Sequence, residues 1–129
     1  LIERAKRLEL KTLVCATKPE EAAAVSILRP NMVAVEPPEL IGTGLAVSRV
    51  KPEVIANSVV IVRQYNKDIV ILTGAGISSA EDSEAAIRLG TSGVLVSSAV
   101  MKSHDPEGTL RSMVSAMLKA IEKRELSRA

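Results

Sequence analysis

The chain repeats one pattern four times, a short apolar run followed by an amphipathic segment of helical period. None of the four runs alternates apolar with polar residues, a composition typical of strands buried on both faces of a parallel sheet. Each run is followed, after its carboxyl end, by a stretch long enough to return the chain to the opposite end of the sheet for a parallel strand. We predict strands at residues 12–16, 32–35, 69–73 and 93–97.

The segments between the runs carry signals for helix starts and stops. Pro19 and Pro52 stand in first-turn positions next to acidic residues, Ser79 and Asp82 have the spacing of a capping box, and Gly90 is a left-handed stop. The predicted helices cover residues 1–8, 19–28, 52–65, 79–89 and about 106–123.

One helix followed by four βα units predicts an α/β fold with parallel strands. Four units suit either an open sheet or half of an eight-stranded barrel. A complete barrel takes roughly 250 residues, and this chain has 129. We expect residues 1–129 to form a single domain of one of these two kinds.

Composition excludes several functional classes. The net charge is +2 with both signs interspersed, and Tyr65 is the single aromatic residue. No basic surface or stacking platform for nucleic acid is expected. No apolar run approaches the roughly 20 residues of a membrane span. Cys15 has no disulfide partner, consistent with a reducing, cytoplasmic setting. His104 has no neighbouring His or Cys, so we predict no metal site, and no cofactor.

Glu36 follows the second apolar run directly. Strand periodicity places it on the same face as Met32 and Ala34. Ligands of parallel α/β folds bind where strands end, so its carboxylate would point into a largely apolar mouth and could act as a general base. The simpler interpretation is a charged strand end facing solvent, as for most surface glutamates.

The segment after Glu36 has the composition of a lid. Pro37 and Pro38 stiffen one side, whereas Gly42, Thr43 and Gly44 loosen the other side and offer backbone N–H groups. A short apolar tip between these two sides describes a loop that closes as a unit.

Two further loops could bind phosphate. Gly74 and Gly76 follow the third run and lead through Ser78 into a helix amino terminus, an arrangement that binds anions, although such a loop is often only a tight turn. Ser97 and Ser98 follow the fourth run and offer N–H and hydroxyl groups. Phosphate sites made by the last two loops recur among barrels. Cys15 is interpreted as a small core residue.

Several of these segments together resemble archaeal triosephosphate isomerases. The most specific is the loop motif VEPPELIGTG, which resembles the loop after the sixth strand of that family. The likeness continues through KPEVI, GAGIS and LGTSGVL and ends near Lys102 and Asp105-Pro106, so it covers most of the chain. The matching residues lie at 35–44, 51–55, 74–78, 89–95 and 102–106.

The resemblance implies a truncated TIM barrel, the carboxyl-terminal half with its fourth to eighth helices. It implies that Glu36 moves a proton between two carbons of a triose phosphate, and that Ile41 at the lid tip, Gly76, Ser97 and Ser98 hold the phosphate. It does not extend to the family's early Asn and Lys or to the His after its fourth strand. We therefore expect weak or no isomerase activity from this chain alone.

Four strands without the rest of a barrel leave two unpaired edges and one uncovered apolar face. We expect a homo-oligomer, dimeric or tetrameric, or completion by a separate amino-terminal half. The alternative function is a non-catalytic, phosphate-binding, self-assembling half barrel. Another phosphate-binding barrel enzyme would not explain the segment from Glu36 to Gly44.

Overall fold

The fold is a four-stranded parallel sheet with helices on one side. The structure, a computed structural model, describes residues 1–127. The strands lie in chain order, β1 beside β2, β2 beside β3 and β3 beside β4. Register places Cys15 beside Ala34 and Ala34 beside Leu72. The strands are β1 Leu13–Ala16, β2 Met32–Val35, β3 Val70–Thr73 and β4 Gly93–Val94.

A helix precedes the sheet, and a helix follows each strand, so the predicted α/β class with four βα units is confirmed. The five predicted helices are present, and two short ones, α3 and α6, were not predicted. Each of these is four residues long, too short for a periodic pattern to show. The helices are α1 Ile2–Arg7, α2 Pro19–Ile27, α3 Val47–Val50, α4 Pro52–Tyr65, α5 Ala80–Arg88, α6 Ser98–Met101 and α7 Pro106–Leu126.

Strand β4 is shorter than predicted, two residues instead of five. In the described part of the chain it pairs with β3 alone, and β3 ends at Thr73. The Leu95 N–H still donates to the Thr73 carbonyl at 2.8 Å, but beyond that point no strand residue is available to pair. The chain therefore leaves the sheet early, and Ser97 and Ser98 begin α6 instead of ending a strand.

The main core lies between the sheet and helices α2 and α4. Val33, Val35 and Ile71 point from the sheet toward Ala22 of α2 and Val62 of α4, and all five are buried. A second cluster fills the space beneath the loops at the carboxyl ends of the strands. It includes Leu40, Ala46, Val47, Ile55, Ala75 and Ile77. The loops that carry the candidate site therefore rest on packed side chains.

The opposite face of the sheet is only partly covered. Leu13 and Val70 are 38% and 39% exposed, and neither buried cluster includes them. Cys15 lies on this face and is exposed, so its interpretation as a core residue is wrong. The prediction that the strands are buried on both faces is also wrong at the edge strand β1 and at the amino end of β3, where Leu13 and Val70 lie. In a closed barrel, side chains from other strands fill this space.

Helix α7 packs along α5 at the outer edge of the fold. Met113 and Ala120 are its buried residues, and Arg124 donates to the carbonyls of Ile87 and Thr91 at 3.2 and 3.3 Å. Within residues 1–127, no helix has the length and apolar character needed to cross a membrane.

Candidate active site

Glu36 lies at the carboxyl end of β2, held by the sheet itself. Its N–H donates to the Ala16 carbonyl at 2.8 Å, which extends the hydrogen bonding of β1 and β2 by one residue. Its half-buried side chain belongs to the open face, the face of Met32 and Ala34, and it extends sideways toward β3. The strand therefore aims a carboxylate across the mouth of the sheet.

Gly74 makes room for that carboxylate. A Cβ on Gly74 would lie 2.1 Å from Oε1 of Glu36, far inside van der Waals contact. The glycine directly after β3 is thus explained by a side chain of the same molecule. Sequence reasoning had interpreted this glycine only as part of a loop that approaches a ligand.

Cys15 is the other neighbour of Glu36 on the open face. Burial of the thiol is the largest cause that raises the pKa of Cys15 to about 11, followed by a hydrogen bond to Glu36 and the negative charge of Glu36. The residue is exposed at the open face, and the neighbouring carboxylate disfavours the thiolate there. Cys15 is therefore a neutral thiol beside the candidate base.

The lid segment is ordered by its own hydrogen bonds. Residues Pro38–Leu40 form a 3₁₀ turn, and the Thr43 hydroxyl donates to the Leu40 carbonyl at 2.8 Å and accepts from the Leu45 N–H at 3.0 Å. Leu40 is buried in the second core cluster, so the segment is anchored at this residue. Its flanking Pro37 is buried and Pro38 exposed.

Ile41 does not present a free N–H in this conformation. Its amide donates to the Pro38 carbonyl at 3.3 Å, and its side chain is 57% exposed. The role that the resemblance implies for this amide requires the 3₁₀ turn to open.

The far end of the lid packs against the loop after β3. A Cβ on Gly76 would lie 2.0 Å from the Leu45 carbonyl oxygen, and the Val47 N–H donates to the Ala75 carbonyl at 3.1 Å. Ala75 and Gly76 have φ angles of 64° and 75°. The two loops therefore touch backbone to backbone, which couples any movement of the lid to the position of Gly76.

A carboxylate of the chain itself lies at the start of α5. The buried carboxylate of Asp82 accepts hydrogen bonds from the N–H groups of Ser78 and Ser79, both at 3.1 Å, and from the Ser78 hydroxyl at 3.2 Å. Arg49 lies 3.5 Å from the other carboxylate oxygen. The groups of Ser78 and Ser79 expected to lead an anion to this helix are therefore bonded to the chain's own Asp82.

One cavity of about 460 Å³ joins the loops after β2, β3 and β4. All five residues predicted to act on substrate line it, and so do Gly42 and Gly44, whereas Pro37, Pro38 and Thr43 of the lid do not. The predicted residues on its wall are Glu36, Ile41, Gly76, Ser97 and Ser98.

Lys102 also lines this cavity, and sequence reasoning missed it. The signal that could have found it is its distance from Ser98, since residues four apart share one helix face. That signal depends on α6, which was itself not predicted. His104 lies outside the cavity lining.

The family model for triosephosphate isomerase matches residues 2–117. The chain belongs to the triosephosphate isomerase family. The triosephosphate isomerase of Methanoculleus marisnigri is 50% identical over 116 residues, which make up 90% of this chain and 52% of that protein. The enzyme of Sulfolobus acidocaldarius is 46% identical over 95% of this chain and 53% of its own length. The chain thus spans about half the length of the curated relatives that it matches.

Solved structures of low sequence identity share the fold of this triosephosphate isomerase family member. A structure titled "Native KDPGal structure" matches with a TM-score of 0.71 at 15% identity, over 94% of this chain and 54% of that one. The Amycolatopsis orientalis BexX/CysO complex matches with a TM-score of 0.68 at 22% identity, over 96% of this chain and 49% of that one. These matches confirm a TIM-barrel-type fold of which this chain forms about half.

The contact between Gly76 and Leu45 predicts a difference between two glycine variants. Gly42 and Gly76 both have a φ of 75°, but a Cβ on Gly42 meets nothing within 4 Å. Gly42→Ala should lose about 1–2 kcal/mol of unfolding free energy from the left-handed conformation alone. Gly76→Ala should lose about 1–3 kcal/mol more, because its Cβ would clash with the Leu45 backbone, which cannot move aside as a side chain can. Urea unfolding measures both, and equal losses would contradict the close contact.

The environment of Cys15 predicts a pH dependence. Glu36→Gln removes a charge that raises the thiol pKa, so the pKa should fall from about 11 toward the ordinary 9.0. It should remain above 9.0, because burial, the largest cause, persists. The midpoint of the alkylation rate of Cys15 with iodoacetamide against pH reports this value. Glu20→Gln, on the exposed first turn of α2, is the control, and a midpoint unchanged by Glu36→Gln would refute the contact.

Proposed function

We propose that this chain supplies the general base and the phosphate-binding loops of a triosephosphate isomerase site, which interconverts glyceraldehyde 3-phosphate and dihydroxyacetone phosphate. The observation that supports it is the single cavity onto which Glu36 and the four phosphate-binding candidates open. Its volume of about 460 Å³ is in the range of small-molecule sites, roughly 300–1,000 Å³. We also propose that residues 1–129 form one partial barrel domain in a cytoplasmic protein.

In this proposal Glu36 accepts the proton from the carbon next to the substrate carbonyl and returns it to the neighbouring carbon. The backbone of β2 holds the carboxylate in position, and the absence of a Cβ at Gly74 leaves its path across the mouth open. The use of a glutamate base with loop closure in this enzyme is a standard example of tuned acid–base chemistry.

The phosphate would be held on the other side of the cavity. Ser97 and Ser98 would contribute hydroxyl and N–H groups. Gly76 would contribute its backbone, which a ligand can approach because glycine has no side chain. Ile41 would join them when the lid moves and its N–H leaves the Pro38 carbonyl. Because the lid rests on Gly76 through Leu45, closure and phosphate binding would be linked.

The proposal includes weak or no turnover by the chain alone. Removing the proton creates an enediolate, whose charge must be stabilised by fixed donors near the reacting carbons. The resemblance places the family's Asn, Lys and His for this task in segments that this chain does not match. The cavity offers one cation, Lys102, among the residues described, and it follows β4, two strands from Glu36.

A complementation assay tests this function. The purified 129-residue chain should show no turnover near the roughly 1–10³ s⁻¹ of typical enzymes. Addition of a separately expressed amino-terminal half of an archaeal triosephosphate isomerase should restore turnover, and Glu36→Gln should abolish the restored activity. Glu20→Gln, on the exposed first turn of α2 and outside the cavity lining, is the matched control. Typical turnover by the chain alone would contradict the weak-activity proposal, and restored turnover that survives Glu36→Gln would contradict the role of Glu36.

We also propose that copies of the chain associate through the open face and the unpaired strand edges. The supporting observations are the apolar Leu13 and Val70, each more than a third exposed, and the absence, within residues 1–127, of a strand on the outer side of β1 and of β4. An uncovered face of this kind favours pairing with another chain.

Sedimentation velocity tests this association. The chain should sediment as a dimer or tetramer, and Val70→Lys should shift it toward monomer because a charge on the open face opposes burial. Val60→Lys is the matched control, since Val60 is 59% exposed on the outer side of α4. A folded monomer for the unsubstituted chain would rule the proposal out.

A further inference from the structure

The candidate cavity has one charge of each sign. Among the described residues that line it, Glu36 is the only acid and Lys102 the only base. A phosphate monoester carries about −1.5 to −2 charges near pH 7, and it would share the cavity with a carboxylate. Binding such an anion needs a cation on the side away from Glu36.

The other cations near the loops already have partners. Arg49 lies 3.5 Å from the buried carboxylate of Asp82, and Lys51 forms an ion pair with Glu39 of the lid. Within residues 1–127, Lys102 takes part in no ion pair. Its ammonium group therefore gives the cavity a positive charge that no carboxylate of the described residues neutralises.

Asp82 places a negative charge at the start of α5. Its carboxylate accepts hydrogen bonds from the N–H groups of Ser78 and Ser79, the two residues that precede the helix, so a phosphate approaching from Gly76 would meet a carboxylate there. The positive charge that attracts the phosphate must therefore come from Lys102, which follows β4. This places the phosphate near Ser98 and Lys102 rather than near Ser78.

The backbone of α6 relates Lys102 to the serines. The Lys102 N–H donates to the Ser98 carbonyl at 3.0 Å, and the Met101 N–H donates to the Ser97 carbonyl at 2.9 Å. Lys102 is thus one turn beyond Ser98 and opens onto the same cavity. Its side chain is exposed, which leaves the ammonium group free to turn toward an anion held by the serines.

We propose that Lys102 neutralises the phosphate of the bound substrate and thereby selects a dianionic phosphate monoester. This inference rests on the proposed function and adds the group that supplies the charge. With Lys102 beyond β4 and Glu36 beyond β2, the two charges would orient the substrate, its phosphate at one end of the cavity and its carbons at the other.

Methyl phosphate is a suitable probe, because it is a dianionic monoester that cannot be isomerised. It would be titrated at pH 8 and low salt into the full 129-residue chain, with binding located by NMR shifts at the amides of Gly76, Ser97 and Ser98. Lys102→Met removes the charge and Lys102→Arg retains it. Lys119→Met, at an exposed position of α7 outside the cavity lining, is the control.

Lys102→Met should raise the Kd about tenfold, the loss expected for one charge-assisted hydrogen bond, whereas Lys102→Arg and Lys119→Met should stay within about threefold. At pH 5 the probe is a monoanion, because its second pKa is about 6. The ratio of the Kd of Lys102→Met to the Kd of the unsubstituted chain should therefore be smaller at pH 5 than at pH 8. A purely structural role would not produce that difference. Circular dichroism and urea unfolding would verify that each variant is folded.

Two results would overturn the inference in different ways. If methyl phosphate shifts Gly76, Ser97 and Ser98 with the same Kd in Lys102→Met and in the unsubstituted chain, the role of Lys102 is wrong and the proposed phosphate site stands. If the unsubstituted chain shows no binding at these amides, the phosphate site and the role of Lys102 both fail.

Discussion

The site depends on close packing at the carboxyl end of β3, where the Glu36 side chain and the Leu45 backbone both meet the loop of residues 74–76. Gly74 lets the Glu36 carboxylate cross from β2, and Gly76 lets the Leu45 backbone of the lid rest directly on the loop. Neither contact tolerates a Cβ. Because the base and the lid both touch one three-residue loop, a shift of that loop would change the aim of the carboxylate and the position of the lid together.

The second constraint is that the sheet is covered on one side only. The buried cluster beneath α2 and α4 stabilises the outer face, while Leu13, Cys15 and Val70 remain accessible on the other. A closed barrel of this family would use that face as its interior. The half that carries Glu36 and the candidate phosphate loops therefore has a complete outer layer and an incomplete inner one, which is the physical reason to expect association or complementation.

Charge is distributed unevenly among the three loops. Asp82, with Arg49 beside it, occupies the start of α5, and Lys51 is paired with Glu39, so these ions hold the lid and the loop after β3 in place. Lys102 is left to face the cavity. The same fold thus separates charges that stabilise the structure from the two charges, on Glu36 and Lys102, that are available to a ligand.

The residue pattern by itself determined the βα repeat, the helix boundaries marked by Pro52, Ser79 and Gly90, and the family, because strand burial, capping and the lid motif are local in sequence. Tertiary structure alone decided the rest. Strand β4 ends early because β3 offers no further partner, Cys15 is exposed because no second layer covers it, and the Asp82 carboxylate lies at a helix terminus that looked open. Lys102 reaches the cavity only through α6. Each of these depends on which distant segments pack together, and the periodicity of apolar residues along the chain does not report such contacts.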